Sequence, residues 1–147
     1  MKISTRGRYG LRAMVDLAAH YDGAPVSLLT VAERQKISLN YLEQVFGQLR
    51  KAGLVNSVKG PSGGYLPARE SSRITVKEIL EVLEGPFSIC KEEMDANDPD
   101  PLRIAIRSLV WSEIDRSVNQ FLEECTLRQL VEEYKGYRSG QELMFYI

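Results

Sequence analysis

The 147-residue chain has little of what most catalytic, metal-binding and secreted proteins depend on. Two cysteines cannot form the disulfide framework of a small secreted domain, and a single histidine, His20, cannot anchor a histidine-rich metal site. No nucleophile motif and no Gly-Lys-Ser/Thr phosphate loop occur, so an enzyme is disfavoured. No apolar run approaches the ~20 residues of a membrane span, and the N-terminus lacks the apolar stretch of a secretory signal. We therefore expect a cytoplasmic protein that is not an enzyme.

Net charge is also small, at −1, but it is the sum of two opposed halves. Residues 1–80 hold twelve Lys/Arg against six Asp/Glu, a net +6, and residues 81–147 hold seven against fourteen, a net −7. A basic half attracts phosphates, whereas an acidic half keeps its own surface away from a polyanion. The 44% hydrophobic content is enough to build one globular domain with an oligomerisation arm.

Helix signals are dense in the basic half. The predicted helices span about 5–21, 28–36 and 39–51, each with a Ser or Thr at or just before its start. The second and third helices are joined by a tight turn, with small Ala32 before it and apolar Ile37 inside it. This pattern is typical of a helix-turn-helix, although any helical hairpin can show it.

The segment that follows strengthens this interpretation. Residues 54–59 alternate like a strand, residues 60–64 are rich in turn-forming Gly and Pro, and Tyr65-Leu66 returns as a second strand. A helix-turn-helix followed directly by a β-hairpin is a winged helix. The predicted fold is therefore mostly α-helical with a small β-hairpin wing and a long dimerisation helix.

The acidic half predicts that long helix. A capping box at residues 75–78 opens a fourth helix ended by Gly85, and a polar loop over 91–101 leads to a helix that ends near Glu124. Its apolar stripe, about 33 Å long, exceeds what a winged-helix core of roughly 80 residues can cover. Either a second copy covers it or it packs on its own domain, and symmetry favours the copy. The predicted dimerisation residues are Leu102, Ile106, Leu109, Val110, Ile114, Val118 and Phe121.

Three segments carry a family resemblance, at residues 2–10, 38–44 and 60–65. In this order they closely resemble the Rrf2 family of winged-helix transcription regulators, over residues 1–134. Residues 83–86 and 144–147 look most like the cluster-free repressors of cysteine metabolism in that family. The resemblance implies a homodimer that crosses its long helices and binds a palindromic site in double-stranded promoter DNA. The predicted organisation is a DNA-binding domain (1–85), a loop with the long and a short final helix (86–135), and a tail (136–147).

The cysteine pattern departs from most of that family. Many members hold an iron–sulfur cluster through three closely spaced cysteines before the long helix. Here only Cys90 lies near that position, Cys125 lies beyond the long helix, and residues 91–101 contain no Cys or His. Clusters need three or four soft ligands per subunit, so we expect no cofactor and no metal. Cys90 remains a candidate redox thiol.

The third predicted helix should enter the major groove by its first turn. Glu43 can accept a hydrogen bond from cytosine N4, Gln44 can pair with adenine, and Lys59 on the wing can reach the minor groove or its phosphates. The predicted DNA-contacting residues are Lys2, Ser4, Thr5, Arg8, Tyr9, Ser38, Asn40, Tyr41, Glu43, Gln44, Arg50, Lys59, Ser62, Gly63, Gly64 and Tyr65.

The C-terminal tail is the remaining candidate site. A short final helix is expected to end at Gly136, followed by a polar tether and five apolar residues. These residues either pack on the dimer or bind a partner through Phe145, Tyr146 and Ile147. The resemblance implies cysteine synthase as that partner. An interaction protein that binds cysteine synthase is accordingly the alternative to a transcriptional regulator.

Overall fold

The structure is a computed structural model that describes residues 2–97 and 99–145. Its elements, in chain order, are α1 (Thr5–His20), α2 (Leu28–Gln35), α3 (Leu39–Lys51), β1 (Val55–Val58), β2 (Gly64–Pro67), a 3-10 turn (Ser71–Arg73), α4 (Val76–Glu84), α5 (Pro101–Ile106), a π-helical segment (Arg107–Trp111), α6 (Ser112–Glu124) and α7 (Leu127–Phe145). We call the continuous helical run 101–124 the long helix.

Helices α1 to α3 and the β1–β2 hairpin form a winged helix, as the sequence predicts. The two strands are antiparallel, with Val55 opposite Pro67 and Val58 opposite Gly64. Val26, in the segment between α1 and α2, exchanges two backbone hydrogen bonds with Tyr65 at 2.8 and 2.9 Å. The wing is thereby fixed to the helix-turn-helix by the backbone, which holds its tip at a defined angle to α3.

The caps predicted for α3 and α4 are present and explain where these helices begin. The Ser38 hydroxyl accepts from the Tyr41 N–H at 3.1 Å, which starts α3. At α4 the Thr75 hydroxyl accepts from the Glu78 N–H, and the Glu78 carboxylate accepts from the Thr75 N–H. Burial alone would raise the pKa of Glu78, but hydrogen bonds from Thr75 and Arg69 outweigh it and hold that pKa below its ordinary value.

One hydrophobic core joins α1, α3, α4 and the start of α7. Leu17, Phe46, Ile79 and Leu127 are fully buried in it. Helices α1 and α4 approach closely because Gly10 has no side chain: a Cβ there would lie 2.2 Å from a Leu83 methyl group. This contact fixes the position of α1, and hence of the residues at its N-terminus.

Helix α7 is longer than predicted and packs against the DNA-binding domain. The Leu127 N–H donates to the Ile74 carbonyl at 2.8 Å and Leu127 is buried in the core, so the final helix begins within the winged-helix domain rather than in a separate arm. It then continues through Gly136 as far as Phe145. Gly136 does not adopt a positive φ, and one glycine costs a helix only about 1 kcal/mol. The predicted polar tether after Gly136 is therefore helical.

The long helix begins as predicted, with Asp100 capping the Leu102 N–H at 2.9 Å and Pro101 in the first turn. Segment 107–111 is π-helical, which the apolar spacing does not predict. The predicted apolar stripe is covered unevenly. Val118 is half-buried on the α6 segment that packs against α4, whereas Leu102 and Leu109 are 67% and 80% exposed.

Within residues 2–97 and 99–145, no helix has the length and apolarity required to span a bilayer.

Candidate nucleic-acid interface

Helix α3 presents polar side chains on one side and core residues on the other. Asn40, Glu43 and Gln44 are exposed, while Leu42 and Val45 are buried. The buried pair fixes the rotation of the helix about its axis, so the three polar side chains must face outward. Amide and carboxylate groups in this position have the hydrogen-bonding capacity to contact base edges.

Tyr41 is the exception among the residues predicted on the outer side of α3. It is half-buried, because its ring packs edge-to-face on Tyr9 of α1 with centroids 6.1 Å apart. The neighbouring helix covers part of the ring, and the role of Tyr41 as a DNA contact stays a prediction. The aromatic pair instead joins α1 to the first turn of α3.

Arg12 is a further basic residue beside this pair that the sequence analysis did not single out. Its guanidinium carbon lies 5.6 Å from the centroid of the Tyr9 ring, and the group donates to the Gln35 carbonyl at 3.2 Å. Both contacts place a positive charge near the turn between α2 and α3. The spacing of Tyr9 and Arg12, three residues apart on one helix, is the sequence signal that could have identified it.

Ser4 hydrogen-bonds to Glu84, at the end of α4. Its backbone N–H donates to the Glu84 carboxylate at 2.9 Å, and its hydroxyl bonds the same oxygen. The Gly7 N–H also donates to Glu84, at 3.1 Å. The Ser4 hydroxyl is thus bonded within its own domain, and Ser4 as a DNA contact stays a prediction. Glu84 fixes the start of α1 instead.

The wing carries two kinds of predicted residue. Lys59 and Ser62 are exposed at the hairpin tip, where they are accessible to a ligand. Tyr65, by contrast, is half-buried at the base of the wing, with its ring centroid 5.2 Å from that of Phe46. Gly64 has φ +154°, and a Cβ there would lie 2.2 Å from the Val26 carbonyl oxygen. Gly64 and Tyr65 therefore attach the wing to the helical part of the domain.

The remaining predicted phosphate contacts are at the surface. Lys2, Thr5, Arg8 and Arg50 are exposed, and the Arg8 guanidinium donates to the Thr5 hydroxyl at 3.2 Å. The Ser38 hydroxyl uses its oxygen to cap α3, which leaves its proton for an anion at the helix N-terminus. As DNA contacts, these residues stay predictions.

A buried charge that the sequence analysis missed orients α2. Asp16 of α1 is 1% exposed and accepts from the Arg34 guanidinium, including an Nε contact at 3.0 Å, and from the Gln35 amide at 2.7 Å. The hydrogen bond to Asp16, partly opposed by burial, raises the pKa of Arg34 above its ordinary value. An acidic residue on the inner side of α1, eighteen positions before an arginine on α2, is a signal too weak to find from sequence.

The loop before the long helix holds Cys90, the cysteine expected near the position of an iron–sulfur cluster. Cys90 is half-buried there and unpaired, and nearby the Asp115 carboxylate accepts from the Ile89 N–H at 2.7 Å. Arg103 and Glu92 pair at 2.8 Å across the loop. Among the described residues no three His, Cys, Asp or Glu side chains are grouped as a metal would require. One thiol with hydrogen-bonded carboxylates does not fit the ligand set of a cluster.

Part of the predicted tail site lies beyond this description. Tyr146 and Ile147 fall outside the described residues, and Phe145 is the last residue of α7. Its role in binding a partner stays a prediction.

An exposed polar face on α3, a wing fixed beside it and basic residues around both define a winged-helix DNA-binding regulator. Comparison with known proteins identifies its family. The chain belongs to the Rrf2 family, described as iron-dependent transcriptional regulators, which matches residues 3–133. The resemblance found in the sequence is thereby confirmed.

Two regulators illustrate the range of relatives. The HTH-type transcriptional regulator CymR of Bacillus subtilis is 41% identical over 149 residues, covering 100% of each chain. The regulator IscR of Xenorhabdus nematophila is 38% identical over 133 residues, covering 89% of this chain and 79% of the relative. These relatives are transcriptional regulators and not enzymes, in agreement with the sequence analysis.

Solved structures of two related regulators have the same fold as this chain. The structure of CymR, the global cysteine regulator of B. subtilis, has a TM-score of 0.76 at 39% identity and covers 90% of this chain and 98% of its own. IscR of T. potens has a TM-score of 0.72 at 41% identity, covering 91% and 88%. The predicted fold class is confirmed by these winged-helix structures.

Proposed function

We propose that this protein is a homodimeric, cluster-free transcriptional repressor of cysteine and sulfur metabolism genes, which binds a palindromic promoter site in the cytoplasm. The observation that carries the DNA-binding part is the exposed row Asn40, Glu43 and Gln44 on α3 beside the wing lysine Lys59. Amides and a carboxylate on a helix can read base edges in the major groove, and a lysine on the adjacent wing can contact the phosphates.

The dimer is supported by the first half of the long helix. Leu102, Ile104 and Leu109 are 67%, 43% and 80% exposed on one short stretch. A surface of large apolar side chains on an otherwise charged protein is stabilised by a partner, and a second copy covers it symmetrically. A two-fold dimer also presents two copies of α3, which fits a palindrome.

The assignment to cysteine metabolism follows the CymR relative, which matches along the full length and is described as a global cysteine regulator. IscR relatives have similar identity over a shorter part of this chain. Because Cys90 has no further Cys or His in the loop beside it, the sequence favours those members of the family that hold no iron–sulfur cluster. Cysteine synthase stays a proposed partner through Phe145, Tyr146 and Ile147.

The cluster-free state predicts the outcome of anaerobic reconstitution. With iron and sulfide supplied, we expect no stoichiometric visible chromophore, because Cys90 lacks companion soft ligands. An IscR protein that carries a cluster, treated in parallel, provides the positive control. A chromophore in this chain that survives desalting and disappears in Cys90→Ser would contradict the proposal.

Phosphate contacts predict a steep salt dependence of DNA binding. If the dimer neutralises roughly eight phosphates, the logarithm of the association constant falls against the logarithm of salt concentration with a slope of about −7. The measurement is a duplex-DNA shift assay repeated at several salt concentrations. A flat dependence would argue against DNA as the ligand and favour the enzyme-binding alternative.

Glu43 is expected to determine sequence preference rather than overall affinity. Glu43→Gln replaces a carboxylate, which only accepts, by an amide that donates as well as accepts and so no longer selects the N4 donor of cytosine. Discrimination at one base pair per half-site should therefore fall by about 1–3 kcal/mol while binding to unrelated DNA does not weaken. Competition between operator variants measures this difference. Glu33→Gln, another exposed acid, on α2, is the matched control. An equal loss on every sequence would make Glu43 a structural residue.

A further inference from the structure

A concave site lies where four parts of the molecule meet. The N-terminal segment, α4, the loop after it and α6 enclose a cavity of about 260 Å³. Three of the side chains that line it are lysines, at positions 2, 77 and 91, and the apolar part of its wall includes Ile3, Leu80 and Phe87. This volume is below the roughly 300–1,000 Å³ of sites for drug-sized ligands, so it suits a small metabolite.

The charges around the cavity do not cancel. Of its two acids, Glu81 lies 3.9 Å from the Lys77 ammonium, and Glu84 accepts the hydrogen bonds of Ser4 and Gly7 at the start of α1. Glu81 is thus paired with a lysine, whereas Glu84 is held by uncharged donors and keeps its negative charge, so three lysines face two acids. Among the described residues, no carboxylate lies within ion-pair distance of Lys2 or Lys91.

A neutral polar group completes the lining. The Asn119 amide nitrogen donates to the Asp115 carbonyl at 2.8 Å, which fixes the orientation of the side chain and leaves its oxygen as an acceptor. Two cationic side chains and an apolar wall are complementary to a molecule with an anionic end and a short apolar body, and the amide oxygen can accept from a donor group on that body.

We propose that this cavity binds a small organic carboxylate, with Lys2 and Lys91 contacting the anion and the apolar wall its carbon chain. The ligand lowers DNA affinity, because Lys2 is also a predicted phosphate contact and cannot serve two anions at once. This second statement rests on the proposed function, whereas binding of the carboxylate does not.

The site is tested by NMR on the isotopically labelled full chain without DNA. Butyrate, succinate and L-alanine are titrated at constant ionic strength, with butyramide as the uncharged counterpart of butyrate. We expect saturable shifts of the Gly85, Lys91 and Asn119 amides with at least one carboxylate and none with butyramide. Lys91→Gln should weaken this binding about tenfold or more. Lys135→Gln, an exposed lysine on α7, should leave it unchanged.

Two results would overturn the site. The first is that no carboxylate produces saturable shifts at these amides, as when a partner subunit covers the cavity. The second is that the Lys91→Gln and Lys135→Gln variants bind the carboxylate equally well. If binding occurs, a shift assay with the same carboxylate tests the coupling: DNA affinity falls for the native chain and is unaffected in Lys2→Gln, whose basal DNA affinity is measured separately. Carboxylate binding with no DNA binding at all contradicts the proposed function and leaves the site in place.

Discussion

Replacing Leu109 with glutamate is expected to dissociate the dimer and to remove most of its affinity for a palindromic site. Leu109 is 80% exposed in the single chain, and in the proposed dimer it lies in an apolar interface. A carboxylate placed there on both subunits is desolvated without a counter-charge, at several kcal/mol per copy. We expect the dimer dissociation constant to rise at least about 100-fold, as measured by analytical ultracentrifugation.

DNA affinity should fall in parallel, because a monomer loses the effective concentration with which the second half-site binds. Affinity for an isolated half-site should change little. Arg107→Gln is the matched control, since it makes the same change in net charge two positions away on the same helix. A Leu109→Glu chain that remains dimeric and binds the palindrome normally would show that another surface forms the dimer.

Replacing Arg34 with methionine is expected to destabilise the fold by about 3 kcal/mol, measured by urea unfolding at fixed protein concentration. The variant keeps much of the apolar stem of Arg34 but leaves the carboxylate of Asp16, which is 1% exposed, without its guanidinium partner and with only the His20 imidazole, at 3.6 Å, within ion-pair distance. Gln35 still donates to that carboxylate at 2.7 Å, and an amide does not supply the missing charge.

Two further variants identify the cause of this loss. Asp16→Asn combined with Arg34→Met should recover part of the stability, because no unpaired charge then remains buried. Arg128→Met breaks an ion pair whose side chains are 63% and 62% exposed, and should cost less than about 0.5 kcal/mol. If Arg34→Met and Arg128→Met have equal effects, the buried pair does not hold α2 against α1.

The pair has a functional consequence as well as a structural one. Helix α2 packs on α3, so the contact of Asp16 with Arg34 and Gln35 sets where α3 lies relative to α1. Arg12 and Tyr9 provide a second connection between the same helices. Both link the exposed side chains of α3 to the position of α1, and the segment just before α1, with Lys2 and Ile3, lines the cavity.

Local signals predicted the elements well. The caps Ser38 and Thr75 predicted the starts of α3 and α4, and the glycine-rich turn 60–64 predicted the wing. These features act within a few residues of the chain, and a cap or a turn operates in the same way in almost any surroundings. Gly136 was misleading because a glycine ends a helix only when its backbone leaves the helical region, and here it does not.

The site was predicted in part, for a physical reason that concerns individual residues. Residues that face outward because their neighbours face the core, such as Glu43 between Leu42 and Val45, follow from helical periodicity. The contacts of Ser4 and Tyr41 did not follow from periodicity, because their partners, Glu84 and Tyr9, lie on other helices. The π-helical segment likewise leaves no signature in the spacing of apolar residues.

By itself the sequence determined the helix-turn-helix, the wing, the charge division of +6 and −7, and the lack of soft ligands beside Cys90. Periodicity, capping, turn chemistry and composition are properties of short segments, so they need no tertiary context. Only the tertiary structure decided that Ser4 hydrogen-bonds to Glu84 and that buried Asp16 pairs with Arg34. It also decided that lysines 2, 77 and 91 line one cavity. Each of these depends on residues distant in the chain that only the packing of the helices brings together.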